Sequence, residues 1–305
     1  IGRSGATCMW THFEGDPLDR LHSSFLSTTC RVERLWEAAE RAGKRPILLK
    51  YTASVPPTVK KGIQVEGYCA PWYGQSPFEI AASQCYSNKP YPLAEQVKLD
   101  KAKDWENLPE SELDPLEGVI EVRSKSVPES KVTYYLLIVD SRGEGYDRMI
   151  ISQEKDVRYA VADLSVGEWS NWIWEEFEAC IPRYPKYRDR NKVVYEEKPA
   201  EHYIGTYRFK LIDLSPDASS FRLYRSQIFP TRGFTWPESI AWELIKKLGP
   251  FQEHIGPNPN FNGWIDDETF LEEMEYQANW LGKAAEHLLS SHKWDLFLLQ
   301  WHGLN

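Results

Sequence analysis

The last histidine of the chain, His302, lies where a buried strand would present a metal ligand or another chemically active group. It follows an apolar run, residues 294–300, with the composition of a fully buried strand. Open α/β sheets place their ligands and catalytic groups beyond the carboxyl ends of such strands. We therefore predict a functional role for His302. The other histidines have no partner at ligand spacing and are predicted to be structural or surface residues: His12, His22, His202, His254, His287 and His292.

The sequence contains none of the short motifs that identify a phosphate-binding loop, a serine nucleophile or a zinc-binding helix. Its five cysteines are widely spaced and include no C-x-x-C pair. This spacing favours free, buried thiols, and a disulfide between Cys69 and Cys85 stays open as the alternative. Unpaired thiols favour a cytoplasmic protein. Because the chain begins with Ile1 rather than Met, we expect its true amino terminus to lie upstream, and the localisation stays unknown.

The composition is that of an ordinary globular protein, with 42% hydrophobic and 27% charged residues. The formal net charge of −9 disfavours binding to nucleic-acid polymers, since an acidic surface repels a polyanion. No run of 18 apolar residues occurs, so we predict no membrane span. Thirteen Trp, 16 Tyr and 12 Phe suit a core and half-buried sheets, and could also line a sugar or base pocket.

The elements that would position a site begin with a helix at residues 32–42. Thr28 or Thr29 can cap it, and Gly43 supplies a left-handed exit. A short apolar strand, residues 47–51, follows. A helix, a glycine and a buried strand form half of a βαβ unit, so the sequence predicts a parallel sheet. Residues 52–92 are rich in Pro, Gly, Ser and aromatic residues and are predicted to be long loops.

A change to period-2 patterning at residue 118 predicts a largely antiparallel β lobe that ends at residue 229. A charged stretch, residues 93–116, leads into it. The predicted strands, including a hairpin around residues 141–145, are 119–122, 132–139, 149–151, 172–177, 207–211 and 221–223. The predicted domain boundaries are 1–92 for the first part of an α/β core, 93–229 for the inserted lobe, and 230–305 for the return to the core.

The helical pattern resumes at Thr235, where Thr235-Trp236-Pro237-Glu238 predicts a capping box with proline in the first turn. Asp266 is predicted to cap a longer helix that leads into the terminal strand. The residues expected on its apolar stripe are Phe270, Met274, Ala278, Leu281, Ala285 and Leu288.

Several segments together resemble the type I phosphodiesterase / nucleotide pyrophosphatase family of the alkaline phosphatase superfamily. The likeness covers the α/β parts well and the β lobe loosely. The segments that carry it are Ile1-Gly2-Arg3-Ser4-Gly5-Ala6-Thr7, residues 35–44 with their Ala-Gly-Lys, residues 51–58 with Pro56-Pro57-Thr58, Thr231-Arg232-Gly233-Phe234-Thr235-Trp236-Pro237, and residues 294–305.

The resemblance implies an alkaline-phosphatase-like α/β/α core, incomplete in this chain, with an inserted antiparallel β-rich lobe. It also implies two divalent metal ions, zinc above all, that assist in-line attack on phosphorus by a Thr or Ser nucleophile. That nucleophile would lie upstream of Ile1. By the same resemblance, Asn305 occupies a metal-ligand place where the family has Asp, and the histidine paired with that Asp would lie beyond Asn305. Ser4 stands where the family has His, and His302 is the other residue predicted to bind metal. We therefore expect a chain that cannot assemble the two-metal site alone, either as an internal fragment of an active enzyme or, alternatively, as part of a degenerate member of the family.

The predicted function of the whole protein is metal-dependent hydrolysis of a small phosphorylated substrate, either a phosphodiester or a nucleotide pyrophosphate. Arg232 and Trp236 are the candidate substrate-binding residues, with Tyr224 and Arg225 as further candidates in the lobe. A sulfatase- or phosphomutase-like chemistry is an alternative within the superfamily. A non-catalytic carbohydrate- or partner-binding module, built on the aromatic β lobe, is the alternative from another class.

Overall fold

A computed structural model describes residues 10–68, 76–189, 192–253 and 258–301. Strands dominate this part of the chain, with 35% of residues in strands and 19% in helices. The first ten strands are β1 (Trp10–Thr11), β2 (Arg20–Ser23), β3 (Pro46–Leu49), β4 (Ile63–Val65), β5 (Gln84–Ser87), β6 (Glu95–Gln96), β7 (Asp100–Lys101), β8 (Leu116–Arg123), β9 (Lys131–Val139) and β10 (Arg148–Ser152).

The second half of the chain contributes ten further strands and most of the helical structure. The strands are β11 (Ala160–Ser165), β12 (Ile173–Ala179), β13 (Pro185–Asp189), β14 (Lys192–Tyr195), β15 (Glu201–Tyr207), β16 (Phe209–Leu214), β17 (Phe221–Arg225), β18 (Phe229–Pro230), β19 (Thr235–Trp236) and β20 (Leu296–Leu299). The α-helices of the described residues are α1 (Leu35–Arg41), α2 (Ser239–Leu248), α3 (Asn258–Phe261) and α4 (Asp267–Ser291).

The α/β sheet has the order β19-β4-β3-β20, in which β4, β3 and β20 run parallel and β19 is antiparallel. The predicted parallel sheet is confirmed, and the terminal strand belongs to it, because Phe297 pairs with Ile47. The prediction that the terminal strand is fully buried is wrong. Within the described residues β20 is an edge strand with one neighbour, and Leu299 is 40% exposed.

Helix α1 is shorter than predicted and begins at Leu35. Neither Thr28 nor Thr29 caps it; the Glu37 carboxylate instead accepts a hydrogen bond from the Arg34 amide at 2.8 Å. Gly43 has the predicted left-handed backbone, with a φ of 74°. The helix ends as the glycine predicts and starts one turn later than the apolar pattern indicates.

The capping box predicted at Thr235 is wrong, because Thr235 belongs to β19 and α2 begins only at Ser239. The Thr235 hydroxyl still accepts a hydrogen bond from an amide in the first turn of the helix, that of Ala241, at 3.0 Å. The predicted cap of α4 is confirmed, since the Asp266 carboxylate accepts from the Thr269 amide at 2.8 Å. None of the four described helices combines the length and apolarity needed to cross a membrane.

The buried face of α4 is only partly the apolar stripe that the sequence predicts. Met274, Leu281 and Leu288 are buried, as expected. Glu273 and Gln277 share that face and are also buried. Helical spacing alone could not identify them as inward-facing, since both are polar.

The lobe contains a five-stranded antiparallel sheet, order β11-β10-β9-β8-β7, and a three-stranded sheet, β12-β15-β18. Its predicted hairpin is confirmed by the pairing of β9 with β10. The expectation of loops throughout residues 52–92 is wrong at β4 and at β5, which joins the sheet β16-β17-β5-β6. The predicted strand 207–211 is interrupted at Arg208, between β15 and β16. The remaining strands form a small sheet, β1-β2-β13-β14.

Helix α4 also contacts the lobe, through a group we call the lobe–helix joint: Trp169, Arg208 and Lys210 of the lobe with Glu272 and Glu273 of α4. The Arg208 guanidinium lies 3.8 Å from the centre of the Trp169 ring and 3.5 Å from Glu273. The Trp169 indole donates to Glu272 at 2.7 Å, and Lys210 pairs with the same carboxylate. The joint connects the apolar core of the lobe to that of the α/β sheet.

Among the described cysteines, Cys30 is exposed, Cys180 is half-buried and Cys85 is buried, and all three are free thiols. Burial raises the pKa of the Cys85 thiol to about 12, which makes it unreactive. Cys8 and Cys69 lie outside the described residues. The expectation of free thiols is confirmed for these three, but only Cys85 has the expected burial.

Candidate functional site

The carboxyl ends of the two central parallel strands carry charged residues where solvent is excluded. Lys50 follows β3 and Glu66 follows β4, and each is 1% exposed. Both have left-handed backbone, with φ values of 54° and 46°. Non-glycine residues adopt this conformation only when their surroundings hold it. Here the Lys50 amide donates to the Val65 carbonyl at 2.8 Å, and the Glu66 amide donates to the Phe234 carbonyl at 2.6 Å.

Glu253, which follows α2, supplies the second carboxylate of this edge. Lys50 donates to it in a buried ion pair. The Glu253 amide donates to the Gln227 side chain at 3.2 Å. Gln277 of α4 donates to the Gln252 carbonyl at 3.3 Å. Elements from three parts of the chain therefore converge on the ends of β3 and β4.

Glu66 is a proton-carrying group at neutral pH. Burial, reinforced by the negative charge of Glu253, raises the pKa of the Glu66 carboxyl to about 8, although the Lys50 ammonium opposes the shift. The Tyr68 amide donates to one Glu66 oxygen at 2.9 Å. A carboxylic acid that holds its proton at neutral pH thus lies near the Lys50–Glu253 ion pair.

Several buried polar atoms on or just beyond the parallel strands have no hydrogen-bond partner among the described residues, and others of this kind lie in the lobe and on α4. Those on the chain of the parallel strands are Thr52 Oγ1, Ser54 Oγ, Gln64 Oε1, Glu66 Oε2 and Trp301 Nε1. Buried polar groups in proteins are nearly always hydrogen-bonded, to protein, water or ligand. We call Lys50, Glu66, Glu253 and these atoms the carboxyl-edge site.

The terminal strand reaches the same edge. The side-chain oxygen of Gln300 accepts a hydrogen bond from the Thr52 backbone amide at 3.2 Å. The backbone amide of Gln300 donates to the Leu49 carbonyl at 3.3 Å. The predicted metal residues His302 and Asn305 follow directly, but they lie outside the described residues, as does Ser4. Their roles stay predictions.

Arg232 and Trp236 lie beside this edge, and the partners that the described residues give them do not include Lys50 or Glu66. Arg232 is 42% exposed and donates to Glu201 at 3.0 Å and to the His202 carbonyl at 2.9 Å. Trp236 is 44% exposed, and β19 pairs it with Gln64. A substrate-binding role for the two stays a prediction.

The two lobe residues guessed to line a pocket are buried within the lobe. Tyr224 is completely buried. Arg225 donates to the carbonyls of Ser226 and Ala82, each at 2.7 Å. The geometry places both in the packing of β17 against β5.

The described residues of the carboxyl-edge site do not fit a pair of zinc ions. They supply two carboxylates and no imidazole, and the Lys50 ammonium already lies against one of the carboxylates. One group of three metal-ligating side chains occurs among the described residues, and it lies elsewhere: Glu243, His287 and His292. No sequence motif indicates this group, because Glu243 is far from the histidines in the chain and belongs to another helix.

The carboxyl-edge site was also missed, for a similar reason. Lys50, Glu66 and Glu253 are separated along the chain, and no motif connects them. The available signal was a charged residue directly after each of two apolar strands, in a topology that brings those strand ends together.

Comparisons with known proteins add no relative from which a site could be transferred. Neither the protein-family models, nor the curated proteins, nor the solved structures contain a match to this chain. The family resemblance therefore rests on the sequence segments given above, and the mixed α/β fold with its predominance of sheet is what the geometry establishes.

Proposed function

We propose that this chain belongs to a hydrolase of phosphoesters, either phosphodiesters or nucleotide pyrophosphates, whose substrate meets the carboxyl-edge site. The observation that carries the proposal is the group of unpartnered buried polar atoms around Glu66 and Lys50, at the ends of parallel strands. This is the edge at which open α/β sheets bind their ligands. The resemblance to type I phosphodiesterases supports the same substrate class.

The chemistry of phosphoester hydrolysis suits the two residue types. A hydroxyl nucleophile, by the resemblance a Thr or Ser, attacks phosphorus and loses its proton to solvent, the bond to the leaving oxygen breaks, and that oxygen leaves as an alkoxide unless it receives a proton. Glu66, neutral up to about pH 8, can donate this proton and become a carboxylate. The Lys50 ammonium can offset negative charge on the phosphoryl oxygens. Both side chains are covered, so substrate contact requires the covering residues to separate.

The resemblance adds two divalent metal ions to the proposal. Because the described part of the carboxyl-edge site does not fit them, their ligands would have to come from other residues, His302 included. No role in the proposed proton transfer depends on the metals.

The test is the hydrolysis of a dinucleotide phosphodiester, whose alkoxide leaving group needs a proton, across a pH series. Glu66→Gln should lower kcat by roughly 100-fold to 10,000-fold and remove the decline of activity above about pH 8, because the amide cannot donate the proton. Glu273→Gln is the matched control. Glu273 is also buried with a raised pKa, but it lies in the lobe–helix joint.

An active protein whose pH profile is the same in Glu66→Gln would remove Glu66 from the mechanism. A folded protein that hydrolyses no phosphoester, with or without added Zn²⁺, and that binds glycans on an array would favour the carbohydrate-binding alternative instead.

A further inference from the structure

Three metal-ligating side chains from two helices meet on the α/β part of the molecule. The Nε2 atoms of His287 and His292 lie 2.7 and 2.9 Å from the same Glu243 oxygen, Oε1. His287 lies near the carboxyl end of α4, His292 follows that end, and Glu243 is in the middle of α2. One ligand atom from each of the three residues lies within 4.8 Å of the other two.

We propose that Glu243, His287 and His292 form a binding site for one divalent transition-metal ion, with Zn²⁺ as its natural occupant. We call these residues the two-helix cluster. Two imidazoles and one carboxylate are a zinc ligand set that leaves a fourth position for water. The proposal is independent of the carboxyl-edge site and of the phosphoester chemistry.

The two ligand separations that involve Glu243 suit such an ion after a small expansion. A tetrahedral zinc ion with nitrogen and oxygen ligands at about 2.0–2.1 Å keeps those ligands roughly 3.3 Å apart. The two nitrogen–oxygen separations, 2.7 and 2.9 Å, would widen by about half an ångström. Since the Glu243 side chain is 35% exposed, it has room to shift.

Ser291 prepares His287 for this role. Its hydroxyl lies 3.2 Å from Nδ1, the nitrogen that is not at the centre of the cluster. A hydroxyl can donate to that nitrogen or accept from it. When the proton moves from Nε2 to Nδ1, the Ser291 oxygen accepts it in a hydrogen bond and Nε2 presents its lone pair to the ion. Histidine ligands in metal sites generally have such a partner on their second nitrogen.

The position at the end of α4 also favours a cation. The carboxyl end of a helix carries a partial negative charge that stabilises positive groups in the last turn. α4 is 25 residues long, and its last turn has no Lys or Arg. A bound cation would complement this end and connect it to α2.

A second histidine–carboxylate group in the chain provides a matched comparison. His202 lies 2.7 Å from Glu176 and 3.8 Å from Glu178, but it is the only imidazole there and its side chain is 68% exposed. In the two-helix cluster the side chains of His287 and His292 are only 11% and 28% exposed. We expect a metal ion to bind more tightly to the two-helix cluster, which has two imidazoles and is less exposed to solvent.

The experiment is titration of the chelator-treated protein with Zn²⁺ by calorimetry, with the bound ions counted by elemental analysis. His292→Ala and Glu243→Gln should each bind one ion fewer than the unaltered protein. Ser291→Ala should lower the affinity for that ion by about 10-fold, since loss of a supporting hydrogen bond lowers metal affinity by about 10–100-fold. His202→Ala should bind Zn²⁺ as the unaltered protein does.

Co²⁺ provides a second readout, because tetrahedral coordination gives strong visible absorption bands that should disappear in His292→Ala. Thermal melting in the presence of chelator shows that each variant is folded. The proposal is overturned if folded His292→Ala and Glu243→Gln bind as many ions as the unaltered protein. It is overturned equally if no Zn²⁺ binds, or if His202→Ala causes the same loss.

Discussion

The carboxyl-edge site and the two-helix cluster each place a glutamate near a cationic or potentially cationic partner, but the pKa of the glutamate shifts in opposite directions. At the carboxyl edge, burial outweighs the Lys50 ammonium, and the pKa of Glu66 is raised. In the two-helix cluster, partial burial also raises the pKa of Glu243, but hydrogen bonds from His292 and His287 outweigh it and the pKa is lowered. The comparison shows that solvent access, rather than the presence of a cation, decides which protonation state the fold favours.

Both groups contact one helix. Gln277 of α4 approaches the carboxyl-edge site and His287 belongs to the two-helix cluster, so ten residues, or roughly 15 Å of helix, separate them. The two sites differ in how far their glutamates are buried. Variants at each site can measure how this burial affects stability and protonation.

The largest effect should follow the loss of the buried cation. Lys50→Met leaves Glu253 charged and buried, so the free energy of unfolding should fall by about 3–5 kcal/mol. Lys50→Met combined with Glu253→Gln should recover most of the loss, since no uncompensated charge remains. Lys44→Met removes an exposed ion pair with Asp295 and should cost less than about 1 kcal/mol. Urea unfolding measures all three, and equal losses for Lys50→Met and Lys44→Met would contradict the buried ion pair.

The second effect is a pH dependence of stability. Between its unfolded pKa near 4.5 and its folded pKa of about 8, Glu66 binds a proton in the folded state that it lacks in the unfolded state. The stability that this proton provides is complete below pH 4.5 and is lost as the pH rises towards 8. The loss is at most about 1.4 kcal/mol per pH unit.

Urea unfolding at a series of pH values should therefore show a decline that is flatter in Glu66→Gln. Glu273→Gln should remove a shorter decline, because burial raises the pKa of Glu273 only to about 7. Parallel curves for the unaltered protein and Glu66→Gln would show that Glu66 is ionised throughout.

A smaller loss of stability is expected when the two-helix cluster is altered in the absence of metal. His287→Ala removes one hydrogen bond to the Glu243 carboxylate, and water can reach the carboxylate that remains. In chelator we expect the free energy of unfolding to fall by about 1 kcal/mol. A loss as large as that of Lys50→Met would mean that the cluster is effectively buried.

The smallest effect on stability belongs to Arg232→Ala. Its ion pairs with Glu201 and Glu238 are exposed, so unfolding should change by less than about 1 kcal/mol. If Arg232 binds substrate as predicted, KM for bis(p-nitrophenyl) phosphate should rise while stability stays nearly constant. An unchanged KM in an active protein would remove Arg232 from the substrate site.

The predictions from sequence succeeded where the determining interactions are local. The Asp266 cap, the left-handed Gly43 and the β9–β10 hairpin depend on residues near in the chain. The parallel pairing of β3 with β20 followed from two apolar strands that each come after a helix.

They failed where distant residues decide the outcome. The burial of β20 depends on how many strands flank it, and its own apolar pattern does not contain that number. The cap of α2 comes from Thr235, a strand residue, because the chain turns between the two. Lys50, Glu66 and Glu253 become neighbours only when the sheet forms, so their shared environment has no counterpart in local sequence.

The lobe–helix joint has a consequence for how the molecule can come apart. Arg208 is packed against Trp169, Trp172 and Tyr276, so aromatic rings from the lobe and from α4 lie around one guanidinium. Cutting out residues 118–229 would therefore uncover a flank of α4 and remove the partners of Glu272 and Glu273. We therefore expect that the lobe does not unfold independently. On heating it should unfold together with the α/β sheet in one calorimetric transition. The emission of Trp169 and Trp172 would change at that same temperature.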